Sequence, residues 1–184
     1  SVLSALVRHT QGRQINDSIE TGSGKTTLLL SHISKRHTVF AVDGGTNSIT
    51  AVRTSPILRP GIISYVEGPT QQTLPTHKFD HKLQLALLDG PHAYPFPELE
   101  YYFVYPHLAT DALLIIDDIN IPTVRRLFEF LVEDEMFDLL DVVWDTAFFL
   151  RTGAPMFCPT GDGWSRQRFN RRRFPVESWS RRIG

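Results

Sequence analysis

Three aspartates and a histidine carry the plainest chemistry in this chain. Asp89 and His92 stand three residues apart in LLDGPHAY, and Asp117 and Asp118 are adjacent in LLIIDDINIP. Neighbouring carboxylates repel unless positive charge sits between them. Hard divalent ions such as Mg²⁺ take carboxylate and water oxygens in near-octahedral sets that leave positions open for substrate oxygens. Asp89, Asp117 and Asp118 are therefore candidate metal ligands. A loop histidine titrates near neutrality and suits a general base that removes a hydroxyl proton, and a bound cation makes that proton easier to remove. His92 is the candidate base. The bland alternatives are an aspartate that caps the helix opened by Pro122, and a histidine tied into a proline-rich loop.

A second constellation lies in residues 15–27, INDSIETGSGKTT. A short strand ending at Glu20 runs into the turn Gly22-Ser23-Gly24 and then a helical stretch. Glycines permit a tight turn and close backbone approach, and a helix N-terminus offers free N–H groups to a phosphate or nucleotide. Gly24-Lys25-Thr26 ends like a triphosphate-binding P-loop. That motif needs a glycine five residues earlier, where this chain has Ile19. The loop is too short to wrap a β-phosphate. The next predicted strand ends at Asp43, 23 residues after Glu20. That interval is close to the roughly 20 residues expected between a glycine loop and an acid that binds ribose hydroxyls. A helix cap is the competing reading of Asp43.

The elements that must position these residues alternate. A short apolar-to-polar run at residues 15–20 and the runs at 38–42, 62–66, 84–88 and 112–116 read as strands, with 38–42 and 112–116 apolar throughout, as strands buried on both faces are. Helical stripes lie between them, at residues 1–8, 25–34 (Leu28, Leu29, Leu30, Ile33), 47–54, a helix entered at Pro97 with Leu99, Tyr102 and Phe103, and one opened by Pro122 with Val124, Leu127, Phe128 and Leu131. Residues 139–144 and 146–150 read as two further strands, antiparallel to each other. Alternation of this kind predicts a doubly wound, mostly parallel α/β sheet. Ligands of such sheets bind beyond the carboxyl ends of the strands. Glu20, Asp43, Glu67, Asp89 and Asp117-Asp118 each close a predicted strand, so they are expected on one rim.

The Glu20-Thr21-Gly22-Ser23-Gly24 turn resembles the Glu-x-Gly-x-Gly turn of class I S-adenosylmethionine-dependent methyltransferases. The segment LLDGPHAYPFPELEYYFVYPHL followed by LLIIDDINIP resembles the metal-dependent O-methyltransferase group related to macrolide-sugar and catechol O-methyltransferases. The likeness spans about residues 17–155. It implies a Rossmann-like fold with helices on both faces and an antiparallel C-terminal strand. It implies S-adenosylmethionine as cofactor, with Glu20 receiving the methionine ammonium and Thr21, Gly22 and Gly24 passing the cofactor. Asp43 would take the ribose, and Gly68, Thr70 and Gln71 would lie beside the adenine. Asp89, Asp117 and Asp118 would hold Mg²⁺, with Asp89 also on the cofactor side and, together with His92, in the catalytic set. Catechol members use a lysine base near this loop, and no lysine occurs between Asp89 and Asp117. The implied acceptor is a small hydroxylated molecule, a sugar or a secondary metabolite. Two other readings stand beside this one: a P-loop-like phosphotransferase or ATPase, in which Lys25 would meet phosphate, and a non-catalytic member of the methyltransferase fold.

Composition bounds the rest. A length of 184 residues predicts one domain, with a basic, aromatic tail from Gly161. A net charge of −1 gives no global field for nucleic acid or a membrane surface. The distribution is uneven: residues 111–145 carry ten acids against two arginines, and residues 166–182 carry seven arginines against Glu177. That tail, with Trp164, Phe169, Phe174 and Trp179 between its arginines, reads as a solvated segment or one packed on the body or on another subunit of a homo-oligomer. It also admits an anionic substrate. No nucleic-acid module accompanies it. Cys158 is the single cysteine, which fits a reducing, cytoplasmic setting. No apolar run approaches the roughly 18 residues of a membrane span, and no signal peptide is evident. The short lead before the first strand leaves room for a preceding segment.

Overall fold

The computed structural model describes residues 1–44 and 49–174. Seven strands form one sheet: β1 (Ile15–Thr21), β2 (Ser34–Ala41), β3 (Ile63–Glu67), β4 (Leu83–Leu88), β5 (Leu108–Ile116), β6 (Phe137–Val143) and β7 (Thr146–Arg151). Their order is β3-β2-β1-β4-β5-β7-β6. The pairs among β1 to β5 are parallel, while β7 runs antiparallel to both β5 and β6. Chain order reverses between β1 and β4, which makes their carboxyl ends the switch point where ligands of such sheets bind.

Helices cover both faces. The strand period of two decides which residues each face receives. Leu85, Leu87, Leu113 and Ile115 pack with Ala5 and Leu6 of α1 (Val2–Thr10) and Leu30 of α2 (Lys25–Ile33). Ala86, Leu88, Leu114 and Ile116 face the other way. They meet Val104 of α5 (Phe96–Val104) and Val124, Leu127 and Leu131 of α6 (Pro122–Glu133). Burial on both sides explains why β4 and β5 are unbroken apolar runs. Two short helices complete the rim side, α3 (Ile49–Arg53) and α4 (Thr70–Thr73).

Several boundaries differ from the sequence pattern, each for a physical reason. β2 starts at Ser34 rather than residue 38, directly after α2. Its polar start is accommodated inside the sheet because the Ser18 hydroxyl meets the Ser34 hydroxyl at 2.6 Å and His37 Nδ1 at 2.8 Å. β5 starts at Leu108, and its pairing with β4 shifts register near Asp111, which adopts φ 65. β6 starts at Phe137 rather than residue 139, and it admits Asp138 because this edge strand is exposed along much of its length. Thr70 and Gln71 open a helical turn instead of lying in loop. The helix expected over 47–54 begins at Ile49 within the described residues.

The tail from Gly161 lies against the body as far as it is described. Phe169 of α7 (Arg168–Arg173) packs at 5.5 Å from Phe130, and Arg173 pairs with Glu133 at 2.7 Å. Glu177, Trp179, Arg181 and Arg182 lie outside the described residues. Among the described residues, no helix is long and apolar enough to cross a membrane.

Candidate active site

The centre of the rim is the junction of β1 and β4. Gly22 follows β1 with φ 84, a left-handed conformation that favours glycine. A Cβ there would collide with the Asp89 carbonyl oxygen, so the turn and the end of β4 touch through backbone alone. The Gly22 amide donates to the Phe40 carbonyl at 2.9 Å. The Thr21 hydroxyl, fully buried, accepts from the Asp89 amide at 3.0 Å. Gly24 is extended, with φ 174, and its amide donates to the Thr27 hydroxyl at 2.9 Å where α2 begins. Lys25 is exposed on that first turn.

Beside this turn the acids gather. Asp89, His92 and Asp118 bring ligand atoms within 4.8 Å of one another, and so do Asp117, Asp118 and Asp145. His92 Nε2 stands 3.0 Å from Asp118 Oδ2, at ion-pair distance but off the line of a good hydrogen bond, and 3.8 Å from Asp89 Oδ1. Asp117 accepts a hydrogen bond from the Thr146 hydroxyl. Thr123 donates to the His92 carbonyl and so fixes the loop to α6. Asp118 adopts φ 56, a conformation that costs about 1 kcal/mol or more outside glycine and recurs at functional sites. A small hollow is lined by Asp89, His92, Glu100 and Asp117. Burial, and then the charges of Asp117, Asp118, Glu20 and Glu100, push the Asp89 carboxyl up to about 8. Burial and Asp117 raise Asp118 as well, opposed by His92. Oxygen donors with one imidazole, held in mutual repulsion, suit a hard divalent cation.

The other sequence-nominated residues divide. Glu20 is fully buried beneath the turn rather than on the rim. Its Oε2 accepts from the Thr26 hydroxyl at 2.8 Å, and its Oε1 lies 3.2 Å from His37 Nε2. Asp43 is exposed and holds α3, accepting from the Thr50 amide at 3.2 Å and the Thr50 hydroxyl at 2.7 Å. Glu67 pairs with Arg53 at 2.8 Å. Gly68 follows β3 with φ 140, and its amide donates to the Ala41 carbonyl at 2.9 Å. Thr70 is buried near Glu100, while Gln71 is exposed.

Two residues escaped the sequence pattern. Asp145 was counted as one acid among ten. It reaches the site because the β6–β7 hairpin returns to the carboxyl end of β5, where its carbonyl accepts from the Ile119 amide at 2.8 Å. Glu100 lies on the buried stripe of α5 with Pro97 and Val104, whereas Tyr102 of the expected stripe is exposed. An acid on the inward face of an apolar helix was the available signal. A cavity of about 640 Å³ lies elsewhere. It sits by Met136 and Cys158, near the end of the β6–β7 pair where Phe137 meets Arg151, far from the Thr146 end that adjoins Asp117.

An open sheet with this order, a glycine turn at its switch point and one antiparallel strand near its edge is the Rossmann-like fold of class I S-adenosylmethionine-dependent methyltransferases. Residues 19–119, more than half the chain, match the family model described as a methyltransferase domain, and the chain belongs to that family. No curated protein sequence matches it. Among solved structures, the O-methyltransferase TomG from Streptomyces achromogenes, in complex with SAM, is similar at 15% identity and a TM-score of 0.64, over 83% of this chain and 78% of TomG. An O-methyltransferase from Bacillus cereus in complex with SAH is similar at 12% identity and a TM-score of 0.62, over 82% and 79% of the two chains. The N-methyltransferase NodS from Bradyrhizobium japonicum WM9, with SAH, is similar at 17% identity and 0.56, over 82% and 85%. At these identities the likeness concerns the fold, and the fold is common to transfer onto oxygen and onto nitrogen.

Proposed function

We propose that this chain transfers a methyl group from S-adenosylmethionine to a hydroxyl of a small molecule, with Mg²⁺ or a similar cation beside the acceptor. One observation carries the reading. Asp89, Asp117 and Asp118 crowd the switch point with Glu20 and Glu100 below, and the Asp89 carboxyl is driven to about 8. Such a rim is strained when empty and suited to positive charge. A sulfonium nucleoside and a divalent ion are both positive.

The roles follow from the side chains. Thr21 and Gly22 let the donor pass close to the end of β4. Asp43 and the segment from Gly68 to Gln71 flank the path toward ribose and base. Glu20 acts from beneath, holding the start of α2 through Thr26. Asp89, Asp118, Asp117 and Asp145 are the groups available to a cation, which when bound would lower the pKa of an acceptor hydroxyl. His92 takes the hydroxyl proton at Nε2 when it serves as base. The cofactor supplies an intrinsically activated methyl group, so the protein's contribution is chiefly alignment and electrostatics. The whole chain acts as one domain, with the tail an accessory packed on α6.

Calorimetry with S-adenosylmethionine and its demethylated product, with and without Mg²⁺, tests the reading, with ATP as control. Saturable binding of the methyl donor or its product is expected. Binding of ATP and of neither of these overturns the assignment. Asp117→Ala is expected to abolish metal-dependent turnover while cofactor affinity measured without Mg²⁺ changes little; full activity would mean that the cation is held elsewhere.

A further inference from the structure

Glu100 is 2% exposed and belongs to a helix that otherwise packs apolar residues inward. The Thr21 hydroxyl donates to Glu100 Oε2 at 2.7 Å. The Thr21 oxygen also accepts from the Asp89 amide, which leaves its one proton free for the Glu100 carboxylate. The Thr70 hydroxyl and the Gly90 amide face the same carboxylate, although Oε1 and the Thr70 hydroxyl fall short of good alignment. A Cβ at Gly90 would strike the Glu100 carboxylate, so the chain after β4 lies directly on it. One hydrogen bond from β1 therefore reaches this buried acceptor, with α4 and the β4 loop packed close to it. Burial lifts this carboxyl to about 7, opposed by the neighbouring Thr70, Thr21 and Gly90 dipoles.

We propose that Glu100 is a positioning residue that ties the glycine turn to the Asp89 loop, so that cofactor binding and cation binding depend on each other. The inference rests on the function proposed above. Its physical basis is short. Glu100 holds Thr21, Thr21 holds the Asp89 amide, and the Asp89 carbonyl abuts Gly22. A shift at either ligand's loop is transmitted through atoms in contact. Linkage then requires that each ligand change the other's affinity by the same factor.

Glutamine keeps the volume but replaces one carboxylate oxygen by an –NH₂ that cannot accept from the groups around it. Titrate the demethylated cofactor product into wild type, Glu100→Gln and Thr21→Val, with and without Mg²⁺, and follow exchange of the Asp89 amide by NMR in the free proteins. In wild type, Mg²⁺ is expected to tighten product binding by about fivefold or more. Glu100→Gln should reduce product affinity by roughly tenfold, bring the Mg²⁺ effect near unity and speed Asp89 amide exchange by about tenfold. Thr21→Val breaks the same link from the other side and should match it, and the double variant should be no worse than either single. A residue that merely fills space would give additive losses and an unchanged Mg²⁺ effect, which overturns the proposal. If Glu100→Gln does not fold, Thr21→Val with unaltered coupling does so equally. A wild type that binds no product overturns the coupling along with the proposed function, and the exchange measurement then shows whether the tie itself stands.

Discussion

Asp89→Asn removes the charge at the centre of the acid cluster and keeps its shape, so it measures how much the empty site costs the fold. The Asp89 carboxyl is raised from 3.8 to about 8, by burial first and then by Asp117, Asp118, Glu20 and Glu100. An acid whose folded pKa exceeds its unfolded value holds its proton more tightly when folded. The folded state therefore loses stability as pH rises from about 4 to about 8, and the loss is complete above that window. At about 1.4 kcal/mol per unit, the rise of roughly four units would amount to about 6 kcal/mol. The side chain is 37% exposed, however, and solvent screens much of that repulsion. About 1–2 kcal/mol is the reasonable expectation. For a chain of this size it raises Tm by about 2–8 °C. Thermal unfolding in chelator should show Asp89→Asn above wild type by that margin at pH 8.5 and nearly level with it at pH 5. Added Mg²⁺ should raise the wild-type Tm by mass action and leave the variant almost unmoved. An Asp89→Asn protein that melts at or below wild type at pH 8.5 in chelator would refute the argument from repulsion.

Gly22→Ala places a Cβ against the Asp89 carbonyl at a left-handed φ of 84. It should cost about 2–4 kcal/mol in urea unfolding and eliminate binding of the demethylated cofactor product. His92→Ala should lower kcat by about 10²–10⁴-fold while cofactor affinity stays near wild type, and an unchanged kcat would remove His92 from the chemistry. Phe169→Ala removes the ring packed on Phe130. Trypsin should then cut within the arginine-rich tail sooner, with cofactor binding unaffected; equal cleavage rates would show that the tail is anchored by other contacts.

Much of this architecture was legible in the chain because its signals are local. Apolar runs that end in acids mark buried parallel strands and their carboxyl ends, and Gly22 marks the turn that follows the first of them. The pairing of residues 139–144 with 146–150 followed from their proximity. Signals that depend on partners were not legible. The polar start of β2 does not look like a strand until Ser18 supplies partners to Ser34 and His37. Asp43 lies two residues past β2, and its contacts to Thr50 of α3 are not visible in the spacing. Glu20 and Asp89 both lie at the carboxyl ends of strands, a residue or two before a glycine. One is buried beneath the turn and the other opens on the rim, a difference set by the residues that surround each carboxylate.

By itself, the order of residues determined the alternation of strands and helices and the carboxyl-end rim on which chemistry can occur, because strand period and glycine turns act over a few neighbours. Only the folded chain decided which acids share that rim. Asp145 arrives on a hairpin from a distant segment, and Glu100 reaches under Thr21 from a helix. Charge repulsion and hydrogen bonding act through space, over distances that sequence separation does not measure.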